Sequence, residues 1–164
     1  MTEVIPEIGK IEVLKPEEEI ARLLDQLVRE KGYDYVYPHS SDGDNQIGDC
    51  KYVEAKDDSI SLIGWSVEEE RVLTAEEVKN QIAPSCILGH LLYKVGYPIE
   101  NFVLSGDNES GWGEIAINLS GDFAALLTGN EKIDTALTNL QRAQDTGTAW
   151  GPAVDKFKEE VGLA

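Results

Sequence analysis

The sequence predicts an α+β domain, a small antiparallel sheet of about three strands packed against a bundle of about four to five helices. Three observations carry this. Residues 85–98, SCILGHLLYKVGYP, form the most apolar run in an otherwise acidic chain and repeat at helical spacing. Residues 16–31 and 131–146 each carry one apolar stripe with the 3.6-residue period of an amphipathic helix. Between the first of these stripes and the apolar run, three short segments are rich in aromatic and β-branched residues, the composition of half-buried strands.

Taken in order, residues 1–15 hold scattered apolar side chains (Val4, Ile5, Ile8, Ile11, Val13, Leu14) and are expected to form an extended or frayed arm, or a β edge. Pro16 opens a helix in which Ile20, Leu23, Leu24, Leu27 and Val28 share a face. Its first turn holds Glu17, Glu18 and Glu19 and its last Arg29 and Lys31, both arrangements that complement the helix dipole. Gly32 ends it. Residues 33–37 read as a strand with Tyr33, Tyr35 and Tyr37 on one face. Residues 50–55, CKYVEA, read as a second strand, able to pair with the first as a hairpin across the loop PHSSDGDNQIGD. Asp57 and Asp58 mark a turn, residues 59–67 (SISLIGWSV) a third strand, and residues 68–71 a solvated turn. Thr74 with Glu77 makes a capping box for a short helix through Gln81.

The apolar run follows as the central helix. Leu88, Leu91, Leu92 and Val95 fall at i, i+3, i+4 and i+7, and Cys86, Gly89, His90 and Tyr93 make a second face, so burial on both sides is expected. Pro84 suits the first turn, Gly96 a left-handed terminus, and Pro98 blocks continuation. Gly89 in mid-helix costs about 1 kcal/mol relative to Ala, which close approach of a neighbouring backbone or ring would offset. Beyond it, IENFVL is a helical turn or an extended link, SGDNESGWG an irregular loop, and EIAINLS a strand or the start of a helix. Asp122 is placed to cap a helix over FAALLTG, and Asn130 to cap a helix over 131–146 with Ile133, Leu137, Leu140 and Ala143 or Gln144 inward. Gly147 closes that helix. Trp150 plugs a gap between helices, Asp145 is within reach of its indole N–H, and Pro152 begins a last helix carrying Val154, Phe157, Lys158 and Val161.

The length suits one domain spanning residues 1–164. With 31 Asp and Glu against 14 Lys and Arg, the formal net charge is −17. This counts against direct binding of nucleic-acid backbones or anionic membranes and leaves room for a protein partner with a basic surface. No apolar run is long enough to span a bilayer, no signal pattern opens the chain, and two cysteines in that context suit a reducing, cytoplasmic setting.

Chemistry-bearing residues are few. His39, Cys50, Cys86 and His90 equal one tetrahedral zinc set in number, and Cys86 with His90 could reach one metal from a helix, but no short paired-ligand spacing is present. Cys86 or Cys50 beside His90 is also the beginning of a thiol nucleophile, without a local orienting group or oxyanion donor. The plainer reading is a buried thiol and a satisfied core histidine. Asp42, Asp44 and Asp49 give one loop oxygen ligands of the kind calcium takes, and Asp107 and Glu109 do so in a second, but neither follows the EF-hand pattern. Phosphate-cradling glycine motifs and the GxSxG elbow are absent, so no cofactor is expected. Trp112, in a glycine-rich loop, is a candidate anchor for a partner.

CILGHLLYKVGYP resembles a Cys-x-x-Gly-(His/Arg) helix with a Gly-x-Pro turn, and AQDTGTAWGPAV a Gln-Asp-x-Gly-x-x-Trp-Gly-x-Ala segment, of small acidic proteins of actinobacteria and their bacteriophages. The DYVY and Cys50-Lys51-Tyr52 segments look like the same group. No activity is assigned to that group, so the resemblance implies a phage or actinobacterial, cytoplasmic context (the host cytoplasm if phage-encoded). An Arg at the position of His90 in some members weighs against a catalytic role for it.

The expectation is therefore a non-enzymatic acidic protein that binds another protein, in sharper form a phage-encoded modulator of a host factor or defence system. One version of it mimics DNA with carboxylates spaced like phosphates. Its contacts would come from Trp112, Asp42, Asp44, Asp49, Asp107 and Glu109. The alternative is a small ligand-binding protein or enzyme with a pocket lined by Tyr35, Tyr37, Cys86 and His90. A further alternative is a structural zinc protein.

Overall fold

Helix α1 (Pro16–Lys31) forms where the apolar stripe places it, and Ile20, Leu24 and Leu27 are wholly buried along it. Burying each such side chain stabilises the fold by about 1.5–3 kcal/mol. The Lys15 N–H donates to Glu18 Oε1 at 3.1 Å, which helps close the first turn. The computed structural model describes residues 15–38, 51–56, 60–61, 65–66, 69–108 and 110–163. The expected arm at 1–15, apart from Lys15, and the loop carrying the first acidic cluster lie outside the described residues.

The remaining elements in chain order are β1 (Val53–Ala55), β2 (Ile60–Ser61), β3 (Trp65–Ser66), β4 (Arg71–Val72), α2 (Ala75–Gln81), β5 (Ile82–Pro84), α3 (Ile87–Lys94), α4 (Asn101–Leu104), α5 (Trp112–Asn118), α6 (Gly121–Leu127), α7 (Glu131–Asp145) and α8 (Trp150–Glu160). The class is broadly α+β, but the balance differs from expectation. Eight helices stand among the described residues, against the four to five expected; several are short, including those on either side of residues 105–111. The strands form two small antiparallel sheets, β1 with β5 and a meander β2-β3-β4 of two-residue strands.

The central helix α3 is the interior element. Ile87, Leu88, Leu91 and Leu92 have no exposed surface, and α1, α7 and β5 pack around them. Pro84 does not sit in its first turn; it ends β5 opposite Val53, and Cys86 is the N-cap. At the other end Gly96 adopts φ +90°, which lets Tyr97 N–H reach back to Leu92 O at 2.9 Å. Gly89 is required by contact: a Cβ there would overlap the Tyr52 carbonyl oxygen and lie 2.8 Å from its carbon. The segment leading into β1 therefore lies directly on the helix backbone.

Three expected strands are corrected. Residues 33–37 join no sheet: Tyr33 and Asp34 make a turn, closed by Tyr35 N–H to Gly32 O at 3.1 Å, and carbonyls of this segment are used at the start of α8, where Trp150 N–H donates to Tyr35 O at 2.8 Å and Gly151 N–H to Tyr33 O at 2.9 Å. Accordingly β1 takes β5 as its partner and not the tyrosine segment. The single strand over 59–67 divides into β2 and β3, with Ser61 opposite Trp65, and Arg71 begins β4 instead of standing in a turn.

The capping box at Thr74 is present, with Glu77 N–H donating to Thr74 Oγ1 at 3.3 Å and Thr74 N–H to Glu77 Oε1 at 3.0 Å. Asn130 caps α7 through Lys132 N–H at 2.8 Å. Ser120, and not Asp122, is the N-cap of α6. Helix α8 begins at Trp150, two residues before Pro152.

Candidate functional site

The side chains at the start of α3 are spent on structure, as the plainer reading of a buried thiol expects, and do not form the pocket of the alternative reading. Cys86 is fully buried and its Sγ accepts the Gly89 N–H at 3.4 Å. Tyr37 is 2 % exposed, with its hydroxyl 3.0 Å from Ser85 Oγ and accepting the Lys51 N–H at 3.3 Å. Tyr35 meets Trp150 edge-on at 4.8 Å between ring centroids, and Trp150 is fully buried. The alternative of a pocket around Tyr35, Tyr37, Cys86 and His90 is thus corrected to packed interior. Trp150 does plug the gap, although its indole N–H has no hydrogen-bond partner, and Asp145 Oδ1 accepts from Gln144 Nε2 at 3.0 Å.

His90 lies with its ring 5.7 Å from that of Trp150, also edge-on. Burial, reinforced by the positive charges of Lys31 and Lys94 and partly offset by Glu30, lowers its pKa to about 4. At neutral pH it is an uncharged ring in packing contact. The other two members of the zinc set, His39 and Cys50, lie outside the described residues, and among the described residues no three His, Cys, Asp or Glu come together.

The partner-binding residues separate in the same way. Trp112 is not a loop anchor: it opens α5 and is 1 % exposed. Its main-chain N–H donates to Gln141 Oε1 at 2.8 Å and its Nε1–H to Asp134 Oδ1 at 2.8 Å. The glycine-rich surroundings hid this, because the acceptors belong to α7, more than twenty residues further on. Asp107 is half-buried and accepts the Ser110 hydroxyl at 3.4 Å. Its neighbour Asn108, which sequence reasoning passed over, clasps β1: Oδ1 accepts Val53 N–H at 2.9 Å and Nδ2 donates to Val53 O at 3.0 Å. Asp42, Asp44, Asp49 and Glu109 lie outside the described residues.

What the structure adds is an open cleft of about 630 Å³ between the end of α2, the strand β5 and the turn that follows α3. Its character comes from Lys56, Lys79, Tyr93, Tyr97, Pro98 and Glu100. Tyr97 is fixed by Phe102 and Phe123, at 5.4 and 5.5 Å between centroids, whereas Tyr93 is 57 % exposed. Lys56 and Lys79 are exposed and have no carboxylate partner among the described residues. Glu100 has its Oε1 buried with no hydrogen-bond donor.

The strand register adds main-chain groups to this wall. Lys56 N–H donates to Gln81 O at 2.8 Å and Ser85 N–H to Tyr52 O at 2.9 Å, while Glu54 faces Ala83. In an antiparallel pair the hydrogen-bonding direction alternates along the strand. Ile82 and Pro84 therefore turn their main-chain polar groups away from β1, and both residues line the cleft. Its walls come from residues 56, 79–84 and 93–100, which no local pattern connects.

Several basic side chains are engaged locally. Arg22 pairs with Glu19, Arg71 with Glu69 and Glu77, Lys94 with Glu30, and Lys158 with Asp25. No described helix is long and apolar enough to cross a membrane. Comparison with protein-family models, with curated proteins and with solved structures finds no match to this chain.

Proposed function

We propose that this chain works by binding a protein partner with a basic surface and performs no covalent chemistry of its own. The observation that carries the reading is the carboxylate surplus. Even if every one of the 14 Lys and Arg were paired one to one with an acid, 31 − 14 = 17 carboxylates would remain without a cation. A surface of that sign attracts basic partners over a screening length and speeds their association. Cys86 and Tyr37, the side chains with reactive potential near α3, are committed to the interior, which supports the absence of covalent chemistry; Trp112 is buried as well, so partner contacts fall to the carboxylates. In its sharper form the protein is a phage-encoded modulator that occupies a basic groove on a host factor, with its carboxylates standing where phosphates would.

The test is capture of partners by the immobilised chain at about 0.1 M and about 1 M salt, between which the screening length falls from about 10 to about 3 Å. A defined basic protein held at the lower concentration and released at the higher supports the reading. Partners that are neutral or acidic, or whose retention ignores salt, overturn it.

A further inference from the structure

We propose that the cleft between β5 and the Tyr93–Glu100 turn is a binding site for a free mononucleotide. This goes beyond the protein-binding reading and does not depend on it. Two features of the cleft call for two different parts of one ligand.

The first is the pair of lysines. Lys56 and Lys79 line the same cleft without a carboxylate partner among the described residues. Ammonium groups so placed suit a phosphate, which Lys engages as a point charge. The net charge of −17 works against an anion. At physiological ionic strength, however, charges beyond about 8 Å are largely screened, so the two lysines in the cleft outweigh carboxylates elsewhere.

The second is the aromatic wall. Tyr97 is held in place by Phe102 and Phe123, and Tyr93, 57 % exposed, lines the same cleft, as does Pro98 next to Tyr97 in sequence. An exposed ring at a cleft is a platform for a flat heterocycle, since every base has a π-face to stack.

Glu100 also lines the cleft, but its Oε1 has no exposed surface and so takes no part in holding a ligand there. The cleft, at about 630 Å³, lies within the usual range for small-ligand sites. A phosphate on the lysines and a base against the tyrosines together describe a nucleotide, with guanosine monophosphate (GMP) as the probe.

Isothermal titration calorimetry of the full chain with GMP tests this. Saturable one-site binding is expected, with a dissociation constant of about 10 μM to about 1 mM. Guanosine and inorganic phosphate should each bind at least about tenfold more weakly, because each makes only part of the contact. Lys56→Gln combined with Lys79→Gln should weaken GMP about tenfold or more, and Tyr93→Ala should also weaken it. All three side chains are exposed, so these variants keep the fold, which far-ultraviolet circular dichroism verifies. No saturable heat with GMP up to about 5 mM, an affinity unmoved in the double lysine variant, or phosphate binding as well as GMP overturns the proposal.

Discussion

The side-chain carbonyl of Gln144 accepts the Ile87 main-chain N–H at 2.7 Å, so that α7 caps the first turn of a helix 57 residues away in sequence. One turn earlier on α7, Gln141 does the same for Trp112 at the start of α5 and donates to the Tyr52 hydroxyl at 3.0 Å. Two glutamines three residues apart thus satisfy the N-terminal amides of two other helices. A helix N-terminus buried without such acceptors would leave unpaired donors in the core.

Replacing Gln144 should therefore be expensive in a specific way. Gln144→Met keeps most of the volume but removes the acceptor, and an unsatisfied buried N–H costs about 1–3 kcal/mol. Urea unfolding should show that loss, and Gln141→Met should show a similar one. Arg142→Ala, on the exposed side of the same helix, should stay within about 0.5 kcal/mol. Equal midpoints for Gln144→Met and Arg142→Ala would mean that the capping contact adds nothing.

Gly89 offers a harder steric test. An added Cβ meets main-chain atoms of Tyr52, which cannot swing aside as a flexible side chain would. Gly89→Ala should lose about 1–3 kcal/mol or more through overpacking, despite the higher helix propensity of Ala. Gly113, helical in α5 with open space around its Cα, is the control. Gly113→Ala should be neutral or up to about 1 kcal/mol more stable. Thermal melts of the two variants should therefore move apart, and a shift in the same direction for both would sink the contact argument.

The sequence made legible those elements whose signals are local. The stripes of α1 and α7, the Thr74–Glu77 box and the two-sided apolar run of α3 each rest on residues within one or two turns of one another. The misreadings arose where distant partners decide. Tyr33, Tyr35 and Tyr37 have the spacing of a strand, but whether such a segment joins a sheet depends on where its carbonyls go, and those of Tyr35 and Tyr33 are taken by Trp150 and Gly151. Trp112 sits among glycines that suggest a loop, yet Gln141 and Asp134 draw it inward. The cleft was not legible at all, because its lysines, tyrosines and Glu100 come from three separate stretches. Gly89 was the exception: a glycine inside a buried helix announces close approach, although not that Tyr52 is the neighbour.

Acid should weaken the α2 terminus first at Glu77. Its carboxylate accepts Arg71 Nη1–H at 2.9 Å and the Thr74 N–H at 3.0 Å, and these bonds, the Arg71 pair foremost, lower its pKa from 4.5 to about 2. The folded pKa lies below the ordinary one, so the contribution to stability is complete above about 4.5 and is lost as pH falls towards about 2. Glu77→Gln should show a shallower decline of melting temperature across that interval than the natural chain. The group is exposed, so the difference should also shrink in high salt. Parallel curves would rule out a role for this pair in acid stability.

His90 should act over a higher interval. Its pKa is lowered from 6.5 to about 4 by burial beside Trp150, with Lys31 and Lys94 also disfavouring the charged ring and Glu30 opposing them. Between those two values the unfolded chain binds a proton that the folded chain does not. Stability must therefore rise with pH through the window and fall as pH drops from about 6.5 towards about 4. His90→Phe retains a ring against Trp150 and removes the titration, so its melting temperature should be flatter over this range while matching the natural chain more closely above it. Proton NMR of the imidazole gives a second readout, with a midpoint expected near 4. A midpoint at or above the ordinary histidine value would show that the ring is solvated or paired with a carboxylate. It would also reopen His90 as a proton-transfer group, because a base that titrates near neutrality is the kind that chemistry uses.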